Sequence, residues 1–365
     1  MADSAAGEIH DIFGGRKILA VQKRRVALVG LGMVVGAHVR SLNDLADRVE
    51  IAYAYSPTAA RREAFAAQFP VPTCDRLETI LDDPSIDAVI VLTPPNTHLD
   101  IVGRCAAAGK HVLLEKPLEI TTERATQMVE ACEAAGVTLG IVLQHRFRPA
   151  AEALARMLAA GDLGDIAGCS TIIRLWRPQA YYDEPGRGSL ARDGGGVLLT
   201  QGIHTLDLML SLAGRPAEVR GFATTSPVHV METEDMVAAG IRFENGALGT
   251  IDATTAAYPG FPERIEFICR NGTAVLAGTG LDVTFHDGRT ERVAPLETAG
   301  GTGANPMDFP HDWHRSAIAD FLDSLDGERP PRISGREALK VHRLIDALVE
   351  AGRTGTSVAV AADPA

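Results

Sequence analysis

The sequence predicts a two-domain α/β protein: a parallel sheet covered on both faces by helices, then an α+β domain with a large, mostly antiparallel open sheet. Three observations lead there. The chain has 365 residues, more than one domain usually holds. From Arg25 to about Val142, short apolar runs alternate with alanine-rich helical segments. After about Arg146 the texture changes to longer strands of alternating polarity joined by hairpin turns. The expected divisions are an N-terminal arm at 1–24, a first domain at 25–145 and a second at 146–365. The C-terminal helices are placed to pack back on the first domain.

Strands are expected at Val26–Val29, Val49–Tyr55, Ala88–Leu92, His111–Leu114 and Thr138–Leu143. Good helix formers fill Ala59–Gln68, Asp100–Ala108 and Thr122–Ala135 between them. Apolar strands alternating with helices belong to a parallel sheet buried on both sides. In the second half a helix at Ala150–Ala160 stops at Gly161. Strands follow at Ile166–Arg174, Ala217–Thr224, Met236–Phe243, Ala247–Thr255 and Arg264–Cys269. Asn245-Gly246 and Asn271-Gly272 each sit between two such runs, the signature of a tight hairpin. Helices at Asp312–Ser324 and Gly335–Ala351 close the chain.

Composition narrows the function classes. Hydrophobic residues make up 46% and charged residues 22%, the balance of a soluble globular protein. The formal net charge of -12 supplies no basic face for nucleic acid. Five scattered cysteines without metal spacing fit a reduced, cytoplasmic setting. The acidic N-terminus lacks a signal-peptide pattern, and the longest apolar stretch, Val26–Val39, is short and broken by glycines, so no membrane partner is expected.

"VALVGLGMVVGAH" carries a glycine-rich turn after the first strand. Gly30 and Gly32 match the first two positions of the GxGxxG fingerprint of a Rossmann dinucleotide-binding domain; Val35 stands at the third, with Gly36 one residue late. Gly30 suits the tight turn. Gly32 lets a pyrophosphate approach the backbone, with Met33 and Val34 leading into the helix whose N–H groups would face it. The second strand ends at Tyr55-Ser56 with no acid for a ribose hydroxyl. Ser56, Thr58, Arg61 and Arg62 instead suit a 2′-phosphate, so NAD or NADP is expected, with NADP favoured. An ordinary solvated helix start explains Arg61 and Arg62 equally well.

Four further motifs follow in order: "TPPNTH" at Thr93–His98, "AGKHVLLEKPL" at Ala108–Leu118, "GDLGDI" at Gly161–Ile166 and "DGGGVLLTQGIHTLDLML" at Asp193–Leu210. Together they resemble the Gfo/Idh/MocA family of NAD(P)-dependent oxidoreductases, from about Val26 to Val358. The resemblance implies that Lys116 works beside the nicotinamide, that the Lys116–Pro117 bond is cis, and that His204 is the active-site histidine. It also implies that Asn96 and His98 lie over the cofactor, with Thr93 and Pro94 against it and Glu115 beside Lys116. Cyclitol-oxidising relatives carry Asp where this chain has Thr200, which weakens an Asp-assisted proton relay and leaves more weight on Lys116 and His204.

The expected activity is oxidation of a secondary alcohol of a sugar, cyclitol or related cyclic diol to a ketone. A lysine serves as base only if its pKa falls well below the free value. Arg146, Trp176, Tyr181, Arg192, Thr200, Gln201 and His204 are the candidate substrate contacts; Asp207, one helical turn after His204, is expected to orient it or cap structure. "HDWH" at His311–His314 invites a metal reading, but no third ligand stands at suitable spacing and Asp312 reads as a helix cap, so no metal is expected. Two rivals remain open: a family member that keeps its cofactor and cleaves or epimerises a glycoside, and a non-catalytic NADP-binding protein. The resemblance further implies a homodimer or homotetramer joined through the open sheet, with outward apolar residues between about Ala217 and Cys269.

Overall fold

The computed structural model describes residues 23–296, 310–327 and 329–362. The expected N-terminal arm therefore lies almost wholly outside the described residues. The first sheet holds β1 (Arg24–Val29), β2 (Val49–Tyr55), β3 (Thr73–Cys74), β4 (Ala88–Val91), β5 (His111–Glu115) and β6 (Leu139–Val142). Every pairing is parallel and the order is β3-β2-β1-β4-β5-β6. That order reverses between β1 and β4, which opens a crevice at the carboxyl ends of the strands. The two-residue β3 carries too short an apolar signal to read from sequence.

Both faces of this sheet are buried, as its uninterrupted apolar strands require. Ala27, Val29, Val89, Val91, Val112 and Leu114 point into one core; Val26, Leu28, Ala88, Ile90 and Leu113 point into another. The second core is closed by Ile318, Phe321 and Leu322 of helix Asp312–Asp326, from the far end of the chain. Phe321 is 2% exposed, and burying a side chain of that size stabilises by roughly 2–3 kcal/mol. The C-terminal helices thus pack back on the first domain.

Gln144–Phe147, a 3-10 turn, and helix Pro149–Ala160 lead into the second domain. Its sheet holds β7 (Ile166–Arg174), β8 (Pro216–Thr224), β9 (Met236–Phe243), β10 (Leu248–Thr254), β11 (Arg264–Cys269), β12 (Gly272–Ala277), β13 (Gly280–Phe285), β14 (Thr290–Val293) and β15 (Val358–Ala359). The order is β14-β13-β12-β11-β7-β10-β9-β8-β15, and β7 with β10 is the parallel pair in an otherwise antiparallel sheet. Both Asn-Gly turns join the neighbours they were expected to join, β9 to β10 and β11 to β12. One face packs on helices. The other carries Phe222, Met236, Leu248 and Ile268 in the open, Phe222 at 76% exposure.

Candidate active site

The glycine-rich turn leaves β1 at the reversal point. Gly30 adopts φ 104°, and a Cβ there would stand 2.8 Å from the Leu92 carbonyl carbon at the end of β4. Only glycine fits. Gly32 has open space where its Cβ would be, and helix Val35–Asp44 starts at Val34 without a side-chain cap. A helix start without a side-chain cap, beside an open approach at Gly32, suits a dinucleotide pyrophosphate, so the turn fits the cofactor that its motif implies. Val35 fills the third fingerprint position as a core residue among Leu31, Val39 and Leu42.

A cavity of about 520 Å³ begins at this turn, lined in part by Gly32, Met33, Arg40 and Arg61. Met33 is 60% exposed on its rim. Arg61 therefore keeps its place as a phosphate candidate, and Arg40 joins it from the first helix. Ser56 does not: it is buried, its carbonyl accepts from Arg62 and its hydroxyl accepts from the Thr58 N–H.

Thr93, Pro94 and Asn96 form the lip of the crevice after β4, with Pro94 and Asn96 exposed. His98 departs from expectation. It is fully buried, with Nε2 2.8 Å from the Thr93 carbonyl and Nδ1 about the same distance from those of Pro117 and Leu118, at 3.1 and 3.0 Å. It clips the "TPPNTH" loop to the "EKP" loop rather than covering a cofactor.

At the end of β5 the chain turns through a cis Lys116–Pro117 bond. The Lys116 amine donates to the Thr200 carbonyl at 2.6 Å. Burial lowers the amine's pKa; Glu115 opposes this, while Arg177 and Arg187 reinforce it. Glu115 itself turns inward. It meets His38 Nε2 at 2.8 Å and His314 Nε2 at 3.7 Å, and accepts from the Lys116 N–H at 3.1 Å. Burial pushes its carboxyl up, but the hydrogen bonds from His314 and His38 win and hold it well below the usual carboxylate range. Glu115 therefore anchors the lysine's backbone instead of facing the cofactor. The fold also corrects the "HDWH" reading. His314 gains two potential co-ligands from distant parts of the chain, and the donor atoms of His38, Glu115 and His314 all lie within 4.8 Å of one another. Asp312 is the first helical residue, not the cap, and pairs with Arg315.

The second domain reaches Lys116 through its glycine triplet. A Cβ on Gly194 would stand 2.4 Å from the Ile120 Cα, just past the "EKP" loop. That close approach brings the short helix Val197–Thr200 and helix Ile203–Ala213 over the crevice. His204 opens the second helix. Burial first, then the Lys116 charge, keep its pKa well below the ordinary histidine value. Lys116 and His204 thus come together from opposite halves of the chain.

The other substrate candidates scatter. Tyr181 and Gln201 stay in the site: the Tyr181 hydroxyl accepts from Arg187 at 2.9 Å and from Gln201 at 3.3 Å. Thr200 offers Lys116 its carbonyl, and its hydroxyl lies against two acceptors, the Gly196 carbonyl and the Gln201 side-chain oxygen. Arg146 forms a two-pronged pair with Asp207 at 2.7 and 2.5 Å and also reaches Glu337, so it locks helices together. This explains Asp207 as well. Arg192 folds back on the Pro185 carbonyl. Trp176 packs on His229 and the exposed Tyr258. Two residues escaped sequence reading. Arg187 lies over the Tyr181 ring at 4.3 Å. His145, one residue before Arg146 in "HRFRP", stacks on His204 with centroids 4.8 Å apart.

Comparison with known proteins agrees with this architecture. Residues 24–142 match the family model described as oxidoreductase family, NAD-binding Rossmann fold, and residues 151–275 match the GFO/IDH/MocA C-terminal domain. The chain is 27% identical to D-xylose 1-dehydrogenase (NADP(+)) 2 of Haloferax volcanii, over 85% of this chain and 91% of that protein. It is 26% identical to myo-inositol 2-dehydrogenase of Thermotoga maritima, over 86% and 91% respectively. The WlbA dehydrogenase of Bordetella pertussis, solved with NADH and UDP-GlcNAcA, superposes with a TM-score of 0.82 at 26% identity, covering 94% of this chain and 100% of that one. With both halves matched and the fold shared, the chain belongs to the Gfo/Idh/MocA family of NAD(P)-dependent oxidoreductases.

Proposed function

We propose that this protein is a dehydrogenase for a sugar, cyclitol or related cyclic diol, oxidising one secondary alcohol to a ketone. The observation that carries the reading is the Lys116 amine, held at the mouth of β5 by the Thr200 carbonyl with His204 close by. When bound, nicotinamide supplies the hydride acceptor for the carbinol carbon. Gly30, Gly32 and the start of helix Val35–Asp44 would hold its pyrophosphate, with Thr93, Pro94 and Asn96 along the lip.

Lys116 takes the hydroxyl proton. It must be neutral to do so, and burial with two nearby guanidinium groups favours the neutral amine. His204 stays uncharged and hydrogen-bonds the reacting oxygen. Tyr181 and Gln201, steadied by Arg187, meet the substrate's other hydroxyls. Arg61 favours the 2′-phosphate of NADP. The open cysteine-free face with Phe222, Met236, Leu248 and Ile268 joins copies into a dimer or tetramer. Phe222→Asp is expected to shift the sedimentation of an oligomer to smaller species; an unchanged profile contradicts this interface. All five cysteines are free thiols, four of them buried, consistent with a cytoplasmic protein. Among the described residues no single helix is long and apolar enough to cross a membrane.

A panel of polyols, sugar acids and dihydrodiols with NAD and NADP, read by absorbance of the reduced cofactor, tests the reading. Lys116→Met should lower kcat by about 10²–10⁴-fold on any substrate found. Full activity in that variant would refute the assignment of the base.

A further inference from the structure

The first backbone donor after Lys116 is the N–H of Leu118, because Pro117 has none. Leu118 is wholly buried, so this N–H needs a partner within the protein. The partner comes from far along the chain. His342, 2% exposed on helix Gly335–Thr354, accepts the bond at Nε2 over 3.1 Å. A ring nitrogen that accepts carries no proton, so the ring is neutral and its proton sits on Nδ1. Burial agrees with this, pushing the His342 pKa down to about 4 against the pull of Glu119, the charged group that faces it. On the same turn, His98 Nδ1 lies 3.1 and 3.0 Å from the Pro117 and Leu118 carbonyls. One histidine holds the carbonyls of the lysine loop and the other holds its N–H.

Helix Gly335–Thr354 gives His342 a fixed base. The Ile333 carbonyl, just before the helix, accepts from the Ile141 N–H of β6 at 2.9 Å. A Cβ on Gly335 would stand 2.7 Å from the Val129 side chain, and one on Gly352 would stand 2.5 Å from the Ala223 nitrogen of β8. The helix is therefore seated on the first domain at its start and on the second sheet near its end. We infer that His342 is a positioning residue for Lys116: by holding the Leu118 N–H it fixes the chain just past the lysine, and with it the place from which the amine reaches the crevice. The far end of the same side chain is set by the Thr200 carbonyl, 2.6 Å from the amine. His342 does not touch substrate. It acts through the backbone, and a misplacement of about 1 Å at a reacting group lowers rates on the order of 10²-fold.

The inference rests on Lys116 being the base, but its first test needs no substrate. Amide hydrogen exchange, followed by NMR in the full-length protein, should show the Leu118 N–H protected. His342→Gln, whose side-chain oxygen still accepts, should keep that protection. His342→Leu, which cannot accept, should lose about tenfold or more of it. Fast exchange at Leu118 in the parent, or equal protection in His342→Leu, overturns the inference. On the best alcohol from the panel, His342→Leu should lower kcat about tenfold to hundredfold while KM and cofactor binding change less than about twofold, and His342→Gln should restore most of the loss. A role in stability alone would lower the unfolding midpoint and leave the kcat of the folded enzyme unchanged. Unchanged kcat in His342→Leu, or equal loss in both variants, therefore overturns the positioning role. If His342→Leu does not fold, His342→Asn, whose shorter amide cannot reach Leu118, takes its place with the same expected losses. Failure of the base assignment reads differently: Lys116→Met would turn over at the parent rate, with Leu118 still protected.

Discussion

The two walls of the crevice are built in different ways. The nucleotide wall works mainly through backbone: a glycine at φ 104°, an open approach at Gly32, and an uncapped helix start. The facing wall is built from side chains, and each of those must choose among partners that only the folded protein supplies. Arg146, Arg192 and Trp176 all found partners among other protein groups, and the Thr200 hydroxyl contacts Gly196 and Gln201. Local motifs therefore specify a backbone-built site well and a side-chain-built site poorly. A glycine's conformational freedom acts where the glycine sits, whereas a guanidinium can reach any carboxylate within its span.

That contrast can be broken or sharpened by substitution. The largest stability effect should come from Arg146→Met, which leaves Asp207 buried without its cation. Removing one partner of a buried pair costs about 3–5 kcal/mol, seen as a lowered midpoint in denaturant. The substrate KM should change less than about twofold to threefold, since the guanidinium faces Asp207 and Glu337. A large KM rise with unchanged stability would return Arg146 to the facing wall. On the nucleotide wall the pattern should invert. Gly32→Val should leave stability nearly unchanged, because nothing lies within 4 Å of a Cβ there, while weakening both NAD and NADP about tenfold or more in binding titrations. Smaller still, Arg61→Ala should weaken NADP about fivefold and leave NAD alone; equal effects on both would remove the preference for NADP.

Much of the fold was legible because each half keeps one period throughout. Strands β7, β9 and β11 fall on the residues expected, and both Asn-Gly turns join adjacent strands. The two-residue β3 had no period to show. Lys116 and His204, the residues proposed for the chemistry, were picked out by contiguous motifs. The cluster of Glu115 with His38 and His314 was not, because its members are 77 and 199 positions apart and only the packing of helix Asp312–Asp326 against the first domain unites them. His98 was misread for a related reason: a histidine on a cofactor-side loop can be recruited by three carbonyl groups behind it. His145 carried a signal in "HRFRP", but the neighbouring arginine drew the attention.

The central claim is that the Lys116 amine, whose pKa burial and its neighbours lower, is the base. Lowering its pKa moves the neutral form to lower pH, so kcat/KM for alcohol oxidation should rise with pH and level off below the usual lysine range. The direct measurement is the pH dependence of kcat/KM in the parent and in Lys116→Met, on the best alcohol from the panel. A rising limb in the parent that vanishes in a slow, flat variant is the predicted result; the same limb surviving in Lys116→Met would contradict it.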